Sequence, residues 1–154
     1  MDEIAAELKH FLEYWFAGFE QGLEALEPRA QAALLHMCGR ACAQSYTVPL
    51  FREAWQQSGE DLECFLQRLS QGGLKARYER LDATTLKATY FSCDCDLVRL
   101  GLVKSPALCE CSAANLGENL EQALGMPVSV AIEGSILRGG SECVFRVSLK
   151  QEDG

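Results

Sequence analysis

Apolar residues in the first half of the chain recur every three or four positions, which is the spacing of amphipathic helices. This pattern predicts a first helix over residues 3–23 and a second over residues 28–43. A third helix is predicted over residues 49–57, and a fourth lies between Gly59 and Gly72. The apolar positions that define the four helices are Leu8, Phe11, Leu12, Trp15, Phe16, Phe19, Leu34, Leu35, Leu50, Phe51, Trp55, Leu62, Phe65 and Leu69.

From Leu74 onward the period shortens to two residues, which is typical of strands that are buried on one face. Strand-like segments over residues 75–81 and 84–91 flank Asp82-Ala83, and this arrangement predicts a β-hairpin. The segment that follows, residues 92–111, shows no clear period.

The last third of the chain adds one helix and a second pair of strands. Ser112 suits the N-cap of a helix that ends at Gly125, and two alternating segments then flank Gly139-Gly140. We therefore predict an α+β fold in which an N-terminal helical half, residues 1–72, packs with a four-stranded antiparallel sheet. The second half, residues 73–154, has the order β-β-α-β-β. The alternating apolar residues of the last two strands are Val128, Val130, Ile132, Cys143, Phe145, Val147 and Leu149.

Length and composition favour one domain over residues 1–154, because 154 residues that are 48% hydrophobic and 23% charged can build a single core. The net charge of −8 disfavours nucleic-acid and anionic-membrane partners, which require a basic face. The sequence also shows neither a secretory leader nor an apolar run of the roughly 20 residues that cross a bilayer. We expect a cytoplasmic protein.

Eight cysteines are the main chemical signal, and without a leader such clusters are more often metal ligands or redox thiols than disulfides. The aperiodic segment contains two Cys-x-Cys pairs, Cys93 with Cys95 and Cys109 with Cys111. Four converging thiolates suit tetrahedral zinc, with an iron–sulfur cluster as the alternative. These four cysteines are the predicted metal ligands. The competing interpretation is that free cysteine is simply a small buried hydrophobe, which is the better account of the isolated Cys64.

A second pair, Cys38 and Cys42, stands four residues apart on the predicted second helix. Side chains at this spacing share one helix face and could bind a soft metal together. Packing at a helix contact is an equally good account of the pair. Cys143 likewise fits either a ligand role or the apolar face of the last strand. Glu133 is the carboxylate most worth attention, although an exposed strand glutamate is the default for it.

The segments Gly125 to Val130, Ser135 to Gly140 and Cys143 to Phe145 resemble the end of ligand-binding domains of the 4-vinyl reductase type. Together with Cys38 to Cys42 and Cys109 to Ser112, they are closer to the cysteine-rich bacterial proteins near the 2-aminothiazoline-4-carboxylate hydrolase family. The first resemblance implies a zinc held by cysteines and a glutamate, here Glu133 and Cys143. It also implies a cysteine near Ser135 or Ile136, which this chain lacks, and the ligands then shift toward the two Cys-x-Cys pairs.

The favoured hypothesis is a metal-binding domain that binds or senses a small molecule, with Cys38, Cys42, Cys143 and Glu133 as further cofactor-binding residues. The alternative is a small hydrolase or redox enzyme that uses a cysteine-held metal or an iron–sulfur cluster. A third hypothesis keeps the thiols as packing residues in an oligomer such as a homodimer.

Overall fold

The computed structural model describes residues 5–72, 75–92 and 95–150. It confirms the α+β fold, in which helices precede and cover a four-stranded antiparallel sheet. Within the described ranges no helix is both long and apolar enough to cross a bilayer. The elements in chain order are α1 (Ala6–Ala25), α2 (Pro28–Cys42), a π-helix (Ala43–Thr47), α3 (Val48–Gln57), α4 (Leu62–Gln71), β1 (Ala76–Asp82), β2 (Thr85–Tyr90), α5 (Asp96–Arg99), a 3-10 helix (Pro106–Leu108), α6 (Cys109–Leu124), β3 (Val128–Gly134) and β4 (Cys143–Leu149).

The sheet has the strand order β1-β2-β4-β3, and every neighbouring pair is antiparallel. The predicted hairpin is present, because Asp82 pairs with Thr85 across its turn. The predicted end of α6 is also confirmed, since Gly125 takes a left-handed conformation with φ of 70° that glycine adopts without steric cost.

The main core lies between one sheet face and helices α3, α4 and α6. Apolar residues alternate along β4 and recur at helical spacing on α6, so both elements bury one side. A smaller core joins α1 and α2 to the segment between α5 and α6. The main core contains Phe51, Phe65, Leu66, Leu69, Ala76, Tyr78, Leu86, Ala88, Ala113, Leu116, Leu120, Ala123, Phe145, Val147 and Leu149; the smaller one contains Leu23, Leu35, Leu102, Val103 and Leu108.

The second and third predicted helices are one continuous helical run, joined by the π-helix. The sequence analysis separated them because Pro49 lacks the N–H that an uninterrupted α-helix needs. In the structure, the hydroxyls of Ser45 and Thr47 donate to the carbonyl oxygens of Cys42 and Ala43, at 2.6 and 3.5 Å. Side-chain donors therefore reach backbone carbonyls where the helical hydrogen-bond pattern changes.

The start of α6 differs from the prediction in a way that affects the cysteines. Ser105, rather than Ser112, acts as the cap, because its side chain accepts the backbone N–H of Ala107 and Pro106 opens a 3-10 turn. The helix then begins at Cys109, three residues earlier than expected. Cys109 and Cys111 consequently lie on a helix instead of in an irregular loop.

Two tyrosine hydroxyls meet inside the main core, where Tyr78 Oη lies 2.9 Å from Tyr90 Oη. Burial raises the pKa of Tyr90 to about 12 and holds the pKa of Tyr78 well above its ordinary value. Each phenol therefore has to remain neutral for the core to stay packed.

This pair predicts alkaline destabilisation. Above about pH 10 the unfolded chain loses its tyrosine protons while the folded chain keeps them, so the free energy of unfolding falls until the pH passes about 12. In urea denaturation between pH 8 and pH 11.5, we expect Tyr90→Phe to lose less stability with rising pH than the wild type, by about 2 kcal/mol. Tyr14→Phe is the control, because Tyr14 is 72% exposed. Equal pH dependence in all three proteins would contradict this account.

Candidate functional site

The candidate site is built around the contact between α2 and α6. Gly39 is buried there, and a Cβ added to it would overlap the carbonyl oxygen of Cys111 and lie 2.9 Å from the Cβ of Ala114. Only glycine allows the two backbones to approach this closely, which explains why α2 tolerates a residue that costs a helix interior about 1 kcal/mol. The contact places different side chains on its two flanks.

One flank brings together four cysteines that are far apart in sequence. Cys38 and Cys42 come from α2, Cys111 comes from the first turn of α6, and Cys95 comes from the residue that precedes α5. We call these four residues the thiol cluster. Each thiol interacts electrostatically with at least one other member, and Cys111 interacts with all three.

Cys111 lies at the centre of the thiol cluster. Burial raises the pKa of its thiol to about 12, and the neighbouring thiols of Cys42, Cys95 and Cys38 raise it further. Cys111 and Cys95 both pack against the smaller core, whereas Cys38 and Cys42 are exposed. The cluster therefore spans the boundary between the core and the surface.

Cys42 has an additional polar neighbour. Partial burial and the nearby Cys95 and Asp96 raise the pKa of its thiol, while a hydrogen bond with the Asn115 side chain lowers it. Such a bond favours the thiolate, because an amide N–H stabilises negative charge on sulfur. Asn115 is thus a donor aimed at the thiol cluster.

A chain of hydrogen bonds fixes the orientation of Asn115. Thr47 Oγ1 donates to Asn119 Oδ1 at 2.8 Å, and Asn119 Nδ2 donates to Asn115 Oδ1 at 3.1 Å. Because the carbonyl oxygen of Asn115 accepts from Asn119, its amide nitrogen is left to donate to Cys42. We call this series the amide relay. Asn119 is only 1% exposed, so its two partners satisfy an otherwise costly buried amide.

The thiol cluster is not a preformed metal site. Among the residues that the structure describes, no three His, Cys, Asp or Glu side chains are arranged so that they could hold a metal ion. Cys93, one of the four predicted ligands, lies outside the described residues. The cluster is therefore a set of neighbouring thiols with the soft-donor chemistry that zinc or an iron–sulfur cluster requires.

The structure separates Cys109 from Cys111. Residues two apart on an α-helix point about 200° away from each other, so the two thiols face opposite sides of α6. Cys109 is buried, and its Sγ lies 2.7 Å from Ser135 Oγ. The sequence analysis grouped the two because it placed them before the helix rather than in its first turn.

Cys143 lies near Cys109 rather than near the thiol cluster. Its Sγ accepts a hydrogen bond from the backbone N–H of Ile136 at 3.5 Å, in the loop that contains Ser135. Glu133 points away from it, because Glu133 is exposed and pairs with Arg146 at 3.3 Å on the outer face of the sheet. The two residues that the resemblance implies as zinc ligands thus lie on opposite faces of the sheet.

The other flank of the Gly39 contact forms a cleft. His36 Nε2 lies 3.0 Å from Glu110 Oε2, which links α2 to α6 at its edge. The cleft has a volume of about 140 Å³. Its lining includes charged residues of both signs together with two valines of β3: His36, Arg40, Glu118, Glu121, Val128 and Val130.

Sequence reasoning found all four members of the thiol cluster but divided them between two sites. It missed Thr47, Asn115 and Asn119 because polar residues on amphipathic helices are usually solvent-exposed. One signal was available, since Gly39 between Cys38 and Cys42 indicated a close approach of another backbone. The identity of that backbone could come only from the tertiary structure.

The fold and the thiol cluster define an α+β protein with a cysteine-rich centre between two helices. No protein-family model and no curated protein matches the sequence. The fold is similar to that of trafficking protein particle complex subunit 3 from Naegleria fowleri, whose crystal structure is described as covalently bound to palmitic acid. The TM-score is 0.55 at 16% identity, over 93% of this chain and 95% of that chain. This similarity concerns the fold alone.

The Gly39 contact can be tested by adding one methyl group. We expect Gly39→Ala to lower the free energy of unfolding by about 1–3 kcal/mol, because its Cβ would collide with the backbone of α6. Gly22→Ala on α1 is the matched control, since nothing lies within 4 Å of a Cβ there. The control should stabilise the protein by up to about 1 kcal/mol through helix propensity. A stabilising Gly39→Ala in urea denaturation would contradict the close approach.

Proposed function

We propose that this chain is a cytoplasmic metal-binding domain in which the thiol cluster holds the metal, with zinc as the favoured ion. The observation that carries the proposal is the meeting of Cys38, Cys42, Cys95 and Cys111 from three separate segments at one flank of the Gly39 contact. Four thiolates are the donor set of structural zinc sites and of iron–sulfur clusters.

Packing alone accounts poorly for these thiols. A cysteine that serves as a small hydrophobe is buried, as Cys109 is, whereas Cys38 and Cys42 are exposed. The amide relay adds a second argument, because it directs an N–H donor toward sulfur. Hydrogen-bonded partners of this kind orient and tune metal ligands in known sites.

Binding a metal requires the thiol cluster to tighten. The two α2 thiols can turn about their χ1 torsions, since both are exposed. Cys95 lies at the N-terminal end of α5, where the short helix and its preceding segment would have to move toward α2 and α6. Cys93, two residues from Cys95 in sequence, remains a candidate fifth thiol.

A site closed by four protein thiolates fits a structural or sensing role better than hydrolysis, because catalytic zinc keeps one position for water. The cleft beside His36 and Arg40 supports a small-molecule function for the domain. It shares α2 and α6 with the thiol cluster, so a metal that fixes these helices would also fix the cleft. Its mixed charges suit a small molecule that carries both an acidic and a basic group.

Elemental analysis of protein purified without oxygen tests the proposal. We expect about one zinc per chain and no visible colour. Replacing Cys42, Cys95 or Cys111 with serine should each reduce bound metal to below half, whereas Cys64→Ser should have no effect. Metal-free protein of unchanged stability after zinc addition would overturn the proposal. Brown protein with iron and sulfide would keep the thiol cluster as the site but favour the redox enzyme.

Cys109→Ser distinguishes the cluster seen in the structure from the one predicted along the sequence. Its thiol faces Ser135, on the opposite side of α6 from Cys111. We therefore expect this variant to retain its metal at the wild-type level. Loss of metal equal to that of Cys111→Ser would restore the four ligands of the two Cys-x-Cys pairs.

The amide relay predicts a smaller effect on affinity. Asn115→Ala removes the donor to Cys42 without removing a thiol, so zinc affinity measured by chelator competition should fall about 10-fold or more. Gln122→Ala is the control, because Gln122 is an exposed amide of the same helix that pairs with Arg52. Unchanged affinity in Asn115→Ala would show that the relay only stabilises the fold.

A further inference from the structure

α1 presents large apolar side chains that its own chain does not cover. They recur at three- and four-residue spacing, as on a helix that packs against another surface. A monomer rarely exposes a contiguous apolar patch of this kind. These residues, with their exposed fractions, are Leu8 (50%), Phe11 (58%), Tyr14 (72%) and Trp15 (55%).

The other side of α1 explains how the helix is held. Leu12, Phe16 and Phe19 pack against the smaller core, and Glu20 accepts the backbone N–H groups of Lys104 and Ser105 at 2.9 to 3.2 Å. No other described helix or strand packs extensively along α1. The loop between α5 and α6 thus fixes the helix while its exposed apolar edge remains unpaired.

α2 carries a second uncovered apolar edge. Leu34, Met37, Cys38 and Ala41 follow the three- and four-residue spacing of one helix side and are all exposed. Met37 is 70% exposed. No charged residue lies among these four positions, although α2 has charged residues elsewhere.

The two helices have opposite charge. α1 carries Glu7, Glu13, Glu20 and Glu24 against the single Lys9, whereas α2 carries Arg29 and Arg40 and no acidic residue. An acidic apolar helix and a basic apolar helix are complementary surfaces. In a twofold dimer both would be used, because each copy offers each helix to the other.

We propose that the chain forms a homodimer in which α1 of each copy packs on α2 of its partner. The exposed large side chains of the two helices supply roughly 500 Å² of apolar surface per copy. A stable interface needs about 800 Å² per partner. The smaller residues on the same edges, among them Cys38 and Ala41, supply further area. A second copy is therefore sufficient to cover both edges.

Sedimentation velocity of the purified full chain from 0.5 to 100 µM tests the dimer. We expect a dimer in the wild type, and Trp15→Glu and Met37→Glu should each weaken its dissociation constant at least 10-fold. Leu81→Glu is the matched control, because Leu81 is 46% exposed but lies on β1. Far-UV circular dichroism verifies that each variant is folded, and Phe11→Gln is a milder substitution on the same edge. A wild type that is monomeric at 100 µM overturns the proposal.

Charge exchange tests which helices meet. Glu7→Lys with Glu13→Lys should weaken the dimer, and so should Arg29→Glu with Arg40→Glu, because each pair places like charges across the interface. All four substitutions together keep the wild-type net charge and should restore at least half of the lost affinity. A dimer that persists through each charge-reversed pair, or four substitutions that restore nothing, would overturn the pairing of α1 with the partner's α2.

Discussion

The approach of α2 to α6 at Gly39 is the constraint on which both flanks of the site depend. Because no side chain intervenes, the first turn of α6 lies directly against the middle of α2. Cys38 and Cys42 then share one flank with Cys111, while His36 meets Glu110 on the other. A larger residue would separate the helices and disturb both arrangements together. The thiol cluster and the cleft are therefore products of one packing contact.

The π-helix after Cys42 gives this contact its polar interior. π-turns are rare and are frequently found at functional sites. Here the π-helix contains Thr47, whose hydroxyl reaches the buried Asn119. An unsatisfied amide at that depth would cost about 1–3 kcal/mol, so the hydrogen bonds of Asn119 fix Thr47 on one side and Asn115 on the other. The same bonds that satisfy the buried amide leave the Asn115 N–H directed toward Cys42.

The sequence predicted the architecture better than the site, for a physical reason. Strand alternation, the hairpin at Asp82 and the stop at Gly125 are local effects, and all are present in the structure. The start of α6 depended on Pro106 and the Ser105 cap, which the search for a cap at Ser112 overlooked. That shift of three residues places Cys109 and Cys111 on opposite helix sides. Which cysteines meet was decided by tertiary packing, to which spacing along the chain is blind.

The contrast between Cys109 and Cys111 separates a packing role from a ligand role within one helical turn. Cys109 is buried beside the Ser135 hydroxyl, as a small polarizable core residue would be. Cys111 faces three other thiols, and burial raises its pKa to about 12, so the empty cluster is stable with its protons in place. Removing those protons becomes favourable when a cation replaces their charge, because metal binding and thiol deprotonation are linked. A cluster that is neutral when empty and anionic only around a cation needs no permanent charge partner, which is consistent with its position at the edge of an apolar core.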